Sequence, residues 1–256
     1  MTELQIREAV DPVRKNLEEV GANESLMYGS YDNADLDSII RKTIPDAVNF
    51  INAAAPSYML QGVSLLAERV SGGSLVSDYE SLEIKGRVLR FSFGDRCLRI
   101  VAVRAFDSDV TISAEVPEVS PVGRMQINPF TRGTFDNPVL VRDQIGVNGN
   151  PTFTYYSLLA ENSDFDLDTW LAQHNDDDRE PFPLAGVEYM PFCEYEKGTL
   201  FHEAQDATEE SFYFVPEQLK EAIVYQLTGM TLAIYGEDDK AKYFFSLNGL
   251  TSSSNE

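Results

Sequence analysis

The sequence predicts an α+β protein in which helices from the two ends of the chain form a small helical bundle and an antiparallel β-sheet or small sandwich lobe is inserted between them. Three observations predict it. One apolar stripe at helical period runs from Leu36 to Ala55, and a second runs from Pro216 to Leu247. Between them, about 150 residues consist of short β-branched and aromatic runs punctuated by Gly, Pro, Asn and Asp. Helical ends around a strand-rich middle imply that the ends fold together.

Residues 1–34 read as an N-terminal arm with one helix, Asp11 at its N-cap and Pro12 at its first position. The first bracketing helix then places Leu36, Ile40, Ile44, Ala47, Ile51 and Ala54 on one face. Pro45 should kink this helix, or split it into two meeting at Ile44, because its ring crowds the carbonyl of Arg41 and it has no amide hydrogen. Pro56 ends the element, and residues 57–60 add a turn. Residues 35–62 with 215–250 make up the predicted bundle and 63–214 the lobe.

Candidate strands in the lobe are Val88 to Phe93, Leu98 to Phe106, Val110 to Val116, Val139 to Val141, Phe153 to Leu159 and Val187 to Tyr195. Asn148-Gly149-Asn150 is the clearest turn, since Asn and Gly tolerate positive φ. The stretch 161–180 reads as an acidic surface loop with a short helix around Trp170. In the closing helix, Pro216 takes the first position and Glu217 suits the positive end of the helix dipole. Leu219, Ile223, Leu227, Met230 and Ile234 form its stripe, and Gly236 stops it. Asp238 or Asp239 should cap a last helix with Phe244, Phe245 and Leu247 on its apolar face, and 251–256 read as a disordered tail.

The chain has 256 residues and 43% apolar content, enough for one large domain or two modest ones. No run approaches the ~20 apolar residues that span a bilayer, and the first residues lack a secretory signal pattern, so a cytoplasmic, membrane-free protein is expected. Cys97 and Cys193 stand far apart without a CxxC neighbour, which reads as two reduced thiols.

Net charge is −22 and unevenly spread. Between Glu161 and Glu210, fifteen carboxylates face only Arg179 and Lys197, whereas from Lys85 to Arg104 six cations face Asp95 alone. Solvation of exposed faces is one account of this pattern. The other is head-to-tail contact, the basic strands of one subunit meeting the acidic lobe of the next until a ring closes. On that account Arg87, Arg90, Arg99 and Arg104, with Asp176, Asp177 and Asp178, are the candidate interface residues. A chain this acidic is a poor ligand for duplex DNA, although DNA can slide past an acidic wall without sticking.

Motifs for chemistry are weak, and no enzyme, cofactor or metal is expected. An EF-hand loop started at Asp164 would need Gly where Thr169 stands and Glu where Asn175 stands. His174 and His202 sit in polar, acidic surroundings and read as surface residues. Gly72-Gly73 is not followed by a phosphate loop's Lys and hydroxyl, and neither GxSxG nor HExxH occurs.

Leu36 to Val48 with Ala54-Ala55-Pro56, Phe91 to Val103, Gln126-Ile127-Asn128-Pro129-Phe130-Thr131-Arg132-Gly133, Leu219 to Gly229 and Ala241 to Phe245 resemble segments of the head-to-tail connector, or ring, proteins of tailed bacteriophages. They are similar in particular to those of crAss-like phages and related Bacteroidales prophages. The resemblance implies an adaptor in the virion neck, assembled in the host cytoplasm, that docks below the portal protein after packaging. It implies a ring of twelve copies that contacts other neck or tail ring proteins and extends the DNA channel, DNA passing without sequence-specific binding. Two other classes stay open. One is a carbohydrate-binding or carbohydrate-cleaving β-rich module, suggested by Tyr155, Tyr156, Trp170 and the many carboxylates, and the other is an acidic inhibitor of a basic partner.

Overall fold

The computed structural model describes residues 2–20, 33–66, 79–85, 88–93, 97–105, 110–128, 130–134, 136–143, 151–156, 184–191 and 212–250. In chain order the elements are β1 (Thr2–Gln5), α1 (Ile6–Glu19), α2 (Asn33–Ala54), α3 (Ser57–Leu60), β2 (Leu65–Leu66), β3 (Tyr79–Lys85), β4 (Val88–Phe93), β5 (Cys97–Ala105), β6 (Thr111–Ile112), β7 (Val116–Pro117), α4 (Pro121–Met125), β8 (Val139–Arg142), β9 (Thr152–Tyr156), β10 (Leu184–Pro191), β11 (Phe212–Val215), a 3-10 turn (Glu217–Leu219), α5 (Lys220–Ile234) and α6 (Asp238–Leu247). The class is α+β, as expected. Two compact units emerge, Met1–Val63 with Phe192–Glu256, and Ser64–Pro191.

The first unit is helical and draws on both ends of the chain. Leu36, Ile40, Ile44, Ala47, Val48 and Ile51 of α2 are buried, as are Ile223, Leu227 and Leu232 of α5, and α2 packs on α5. α1 packs against both with Ala9, Val10, Val13 and Leu17 buried. β1 pairs antiparallel with β11, placing Leu4 opposite Tyr213. Residues 2–20, expected in an arm, therefore contribute a strand and a helix to this unit, because α1 carries an apolar stripe of its own that must be covered. Arg14 pairs with Asp37 at 2.7 Å, and Asn16 Nδ2 donates to Thr228 Oγ1 at 3.2 Å.

Three local expectations are corrected here. Asp11 and Pro12 lie inside α1, which begins at Ile6. α2 runs as a single helix through Pro45, not as two helices meeting at Ile44, with buried Ile44 and Ala47 on either side. Packing on both sides of the proline offsets its lost hydrogen bond. Neither Asp238 nor Asp239 caps α6; Glu237 holds that position without a side-chain bond, and the two aspartates lie in the first turn, near the dipole's positive end.

Gly236 ends α5 as expected, at φ +77°. Its N–H donates to Ala233 O and that of Glu237 to Leu232 O, both at 3.0 Å, which is the Schellman pattern. In α6, Ala241 and Phe244 are buried while Leu247 is exposed. Phe245 packs close against α5 because Gly229 has no side chain; a Cβ there would stand 2.5 Å from its ring. Among the described residues no helix is long and apolar enough to cross a membrane.

The second unit is a small sandwich. One sheet has the order β2-β10-β5-β6 and the other β3-β4-β9-β8-β7. Leu89, Phe91, Phe93, Leu140, Phe153 and Tyr155 from the second sheet share one core with Cys97, Ile100, Val103, Val187 and Tyr189 from the first. Phe93 stacks on Tyr189 with ring centroids 4.3 Å apart, and Phe91 stacks on Phe153 at 5.5 Å. A polar clamp joins the sheets as well. Glu115 accepts the Ile100 N–H at 3.1 Å and pairs with Arg142 at 2.7 Å, and Arg142 also donates to Leu98 O at 2.8 Å.

The five-stranded sheet is mixed and not purely antiparallel, because β7 pairs parallel with β8. Parallel neighbours need a crossover in place of a hairpin, and the chain from 118 to 138, with α4 in it, supplies one. The strand expected over Val110 to Val116 is two short strands in different sheets, β6 and β7, with Glu115 between them. The turn at Asn148–Asn150, the loop 161–180, both histidines, Cys193 and the tail 251–256 lie outside the described residues.

Cys97 is fully buried, and burial, followed by the Glu115 carboxylate, pushes its thiol far up. Only the thiolate attacks electrophiles. In a Cys193→Ser background, native protein is expected to resist maleimide labelling at neutral pH and to label on denaturation. Rapid labelling of native protein would show that β5 opens readily.

A braced loop with an exposed apolar tip as the candidate interface

The crossover from β7 to β8 is held by its own side chains. Ser120 caps α4, its Oγ accepting the Gly123 N–H at 3.0 Å, with Pro121 at the first helical position. Gln126 is buried and spans the loop, its Nε2 donating to Val122 O at 3.0 Å and its Oε1 accepting the Gly133 N–H at 2.7 Å. Arg132 Nε donates to Gln126 O at 2.8 Å, Thr131 Oγ1 to Met125 O at 2.5 Å, and Asn128 Oδ1 accepts the Phe130 N–H at 3.0 Å.

Two glycines let the loop root lie on neighbouring backbone. A Cβ on Gly133 would stand 2.7 Å from Tyr156 O and 2.8 Å from Val139 N, and one on Gly123 would collide with Pro117 O. Thr134 and Asn137 close the base with reciprocal backbone bonds of 3.0 and 3.1 Å.

Of the bracing polar side chains only Gln126 is buried, and the loop's large apolar side chains stand outside. Phe130 is 96% exposed and Ile127 72%, and Val119, Val122 and Met125 are each about half exposed. Single exposed hydrophobes are ordinary, but five within one short segment make that segment a candidate contact surface. A contact surface already held in shape loses less entropy on binding. Replacing Gln126 by leucine leaves the Gly133 N–H buried without its acceptor, so the loop is expected to lose about 1–3 kcal/mol of local stability. Hydrogen exchange at Gly133 should accelerate accordingly; unchanged protection would show that Gln126 is not the brace.

Beside the loop root, Arg132 lies 5.9 Å over the Tyr156 ring. Burial, followed by Asp143, pushes the Tyr156 phenol up, and burial likewise pushes the Asp143 carboxyl up against the pull of Arg90. Arg90 donates to Thr154 Oγ1 at 3.4 Å and pairs with Asp143 at 4.0 Å, so the sheet itself engages this expected interface cation. Arg99 is half-buried, and burial lowers its pKa against the influence of Glu115. Arg104 is exposed at the end of β5. Arg90 lies in the five-stranded sheet and Arg99 and Arg104 in the four-stranded one. Arg87, Asp176, Asp177 and Asp178 lie outside the described residues.

The helical unit carries an open groove of about 680 Å³ between α1 and α5. Leu4, Pro12, Val224 and Tyr225 give it apolar walls, and its charged lining is Glu8, Asp11 and Glu221 with Lys15 and Lys220. Lys220 pairs with Glu8 at 3.6 Å and Glu217 at 3.9 Å, and Tyr225 donates to Glu221 at 2.7 Å. Among the described residues no cluster of three or more His, Cys, Asp or Glu could hold a metal ion.

Sequence reasoning missed the exposure of Ile127 and Phe130 and the bracing role of Gln126. The available signal was two large apolar residues among Asn, Pro and Gly with no alternation to bury them. Comparison with protein-family models, with curated proteins and with solved structures finds no match to this chain.

Proposed function

We propose that this chain is a structural subunit of the head-to-tail connector of a tailed bacteriophage, an adaptor that forms a ring below the portal protein and extends the DNA channel towards the tail. The observation that carries this reading is the braced loop with its bare Phe130 and Ile127. A subunit covers such a tip on assembly, whereas a monomer carries it as an aggregation liability. The same loop is one of the segments that resemble connector proteins, and α2, α5 and α6 hold three others. A net charge of −22 suits a channel that DNA must traverse without sticking.

Nothing described favours the carbohydrate reading in particular. Of the aromatics behind it, Tyr155 is buried in the sandwich core, Tyr156 is half-buried with Arg132 over its ring, and Trp170 lies outside the described residues. Native mass spectrometry and particle imaging of the full chain, alone and with its portal, test the connector reading. A closed ring is expected, of twelve copies by the resemblance. Monomers under both conditions would end it.

A further inference from the structure

We propose that the loop tip seats in the groove between α1 and α5 of a neighbouring copy, so that each subunit offers a knob on one unit and a socket on the other. This rests on the ring reading and names its contact. A ring needs two different, mutually complementary surfaces on one chain, because a patch that pairs with itself stops at a dimer. The described surface holds such a pair. The tip presents a phenyl ring and an aliphatic side chain at Phe130 and Ile127, and an open groove with Pro12, Val224 and Tyr225 along it and buried Leu4 beneath offers an apolar surface to them.

Charge favours a second copy as the occupant. Copies of a chain with net charge −22 repel one another, so a copy-to-copy contact must be locally positive on one side. Residues 119–134 hold Arg124 and Arg132 and no carboxylate. The groove lining holds three carboxylates, Glu8, Asp11 and Glu221, against two lysines, and both lysines already have acidic partners, Lys15 in Glu19 and Lys220 in Glu8 and Glu217. Arg124 is exposed beside Val122 and Met125, and Glu221 of the groove lining is the partner the proposal assigns to it. One such contact is small, and closure of the ring gives every subunit two of them.

Mixed cysteine variants of the full chain, in a Cys193→Ser background, test the seat. Protein carrying only Phe130→Cys is mixed with protein carrying only Val224→Cys under mild oxidation, and circular dichroism first confirms that each is folded. A mixed disulfide dimer is expected, and the double variant should give a ladder of multimers. Independently, Arg124→Glu should weaken association about tenfold, and adding Glu221→Arg should restore it. If the mixture forms no cross-link, or the double variant links only within single chains, while the parent still assembles, the seat is overturned and the ring reading stands. If the parent does not self-associate alone or with its portal, both fall. If the charge exchange fails to restore association, Glu221 does not meet Arg124 and the proposed seat is wrong.

Discussion

Phe93→Ala is expected to cost the sandwich unit about 3–5 kcal/mol, among the largest effects available to a single substitution in this chain. Phe93 is fully buried and is the hinge of the aromatic core. It stacks on Tyr189 of the opposite sheet at 4.3 Å and meets Phe91 and Phe153 edge-on at 5.7 and 6.0 Å. Truncation removes the transfer free energy of the ring and leaves a cavity between two sheets, which close-packed strands cannot easily collapse to fill. Phe93→Leu refills most of that space and should cost less than half as much. Urea denaturation followed by tyrosine fluorescence reads both, and a loss below about 1 kcal/mol for the alanine variant would mean the sheets do not share this core.

Glu115→Ala should cost about 3 kcal/mol by a different route. It strands two partners at once, since Ile100 N–H loses its acceptor and the Arg142 guanidinium loses its counter-charge while staying on Leu98 O. The Arg142 side chain is 31% exposed and that of Glu115 15%, so solvent screens the pair only in part. Glu115→Gln keeps an acceptor for Ile100 and should cost about half as much. Combined with Arg142→Met, the alanine variant should lose about 1–2 kcal/mol less than the two single losses added. Additive losses would show that the residues do not act as one clamp.

Much of this fold is legible in the chain because it follows from periodicity. The stripe from Leu36 to Ile51, the stop at Gly236 and the strands around Phe91 and Val101 need only local rules. What local rules miss is decided by distant partners. β1 and β11 are four residues each, and neither reads as a strand until it meets the other. Pro45 reads as a break, yet burial on both sides carries α2 through it. Val110 to Val116 reads as one strand, but the carboxylate of Glu115 reaches to Ile100 and Arg142 and divides it between sheets.

The site was less legible than the fold. Arg90 and Arg99 stand close in sequence and read as one basic face, whereas the chain changes sheets between them. Ile127 and Phe130, being large and apolar, look like core residues. They lie outside, and the buried place in the loop goes to Gln126, whose side chain bonds Val122 O and the Gly133 N–H.

The central claim, that the loop tip is an assembly surface on an otherwise self-sufficient fold, meets its most direct test in sedimentation velocity of the full chain beside its Phe130→Asp variant. With Phe130 at 96% exposure, the substitution should leave the melting temperature unchanged and shift the protein from ring-sized species to monomer. Equal assembly by the two proteins, or a parent that sediments only as monomer both alone and with its portal, would contradict it.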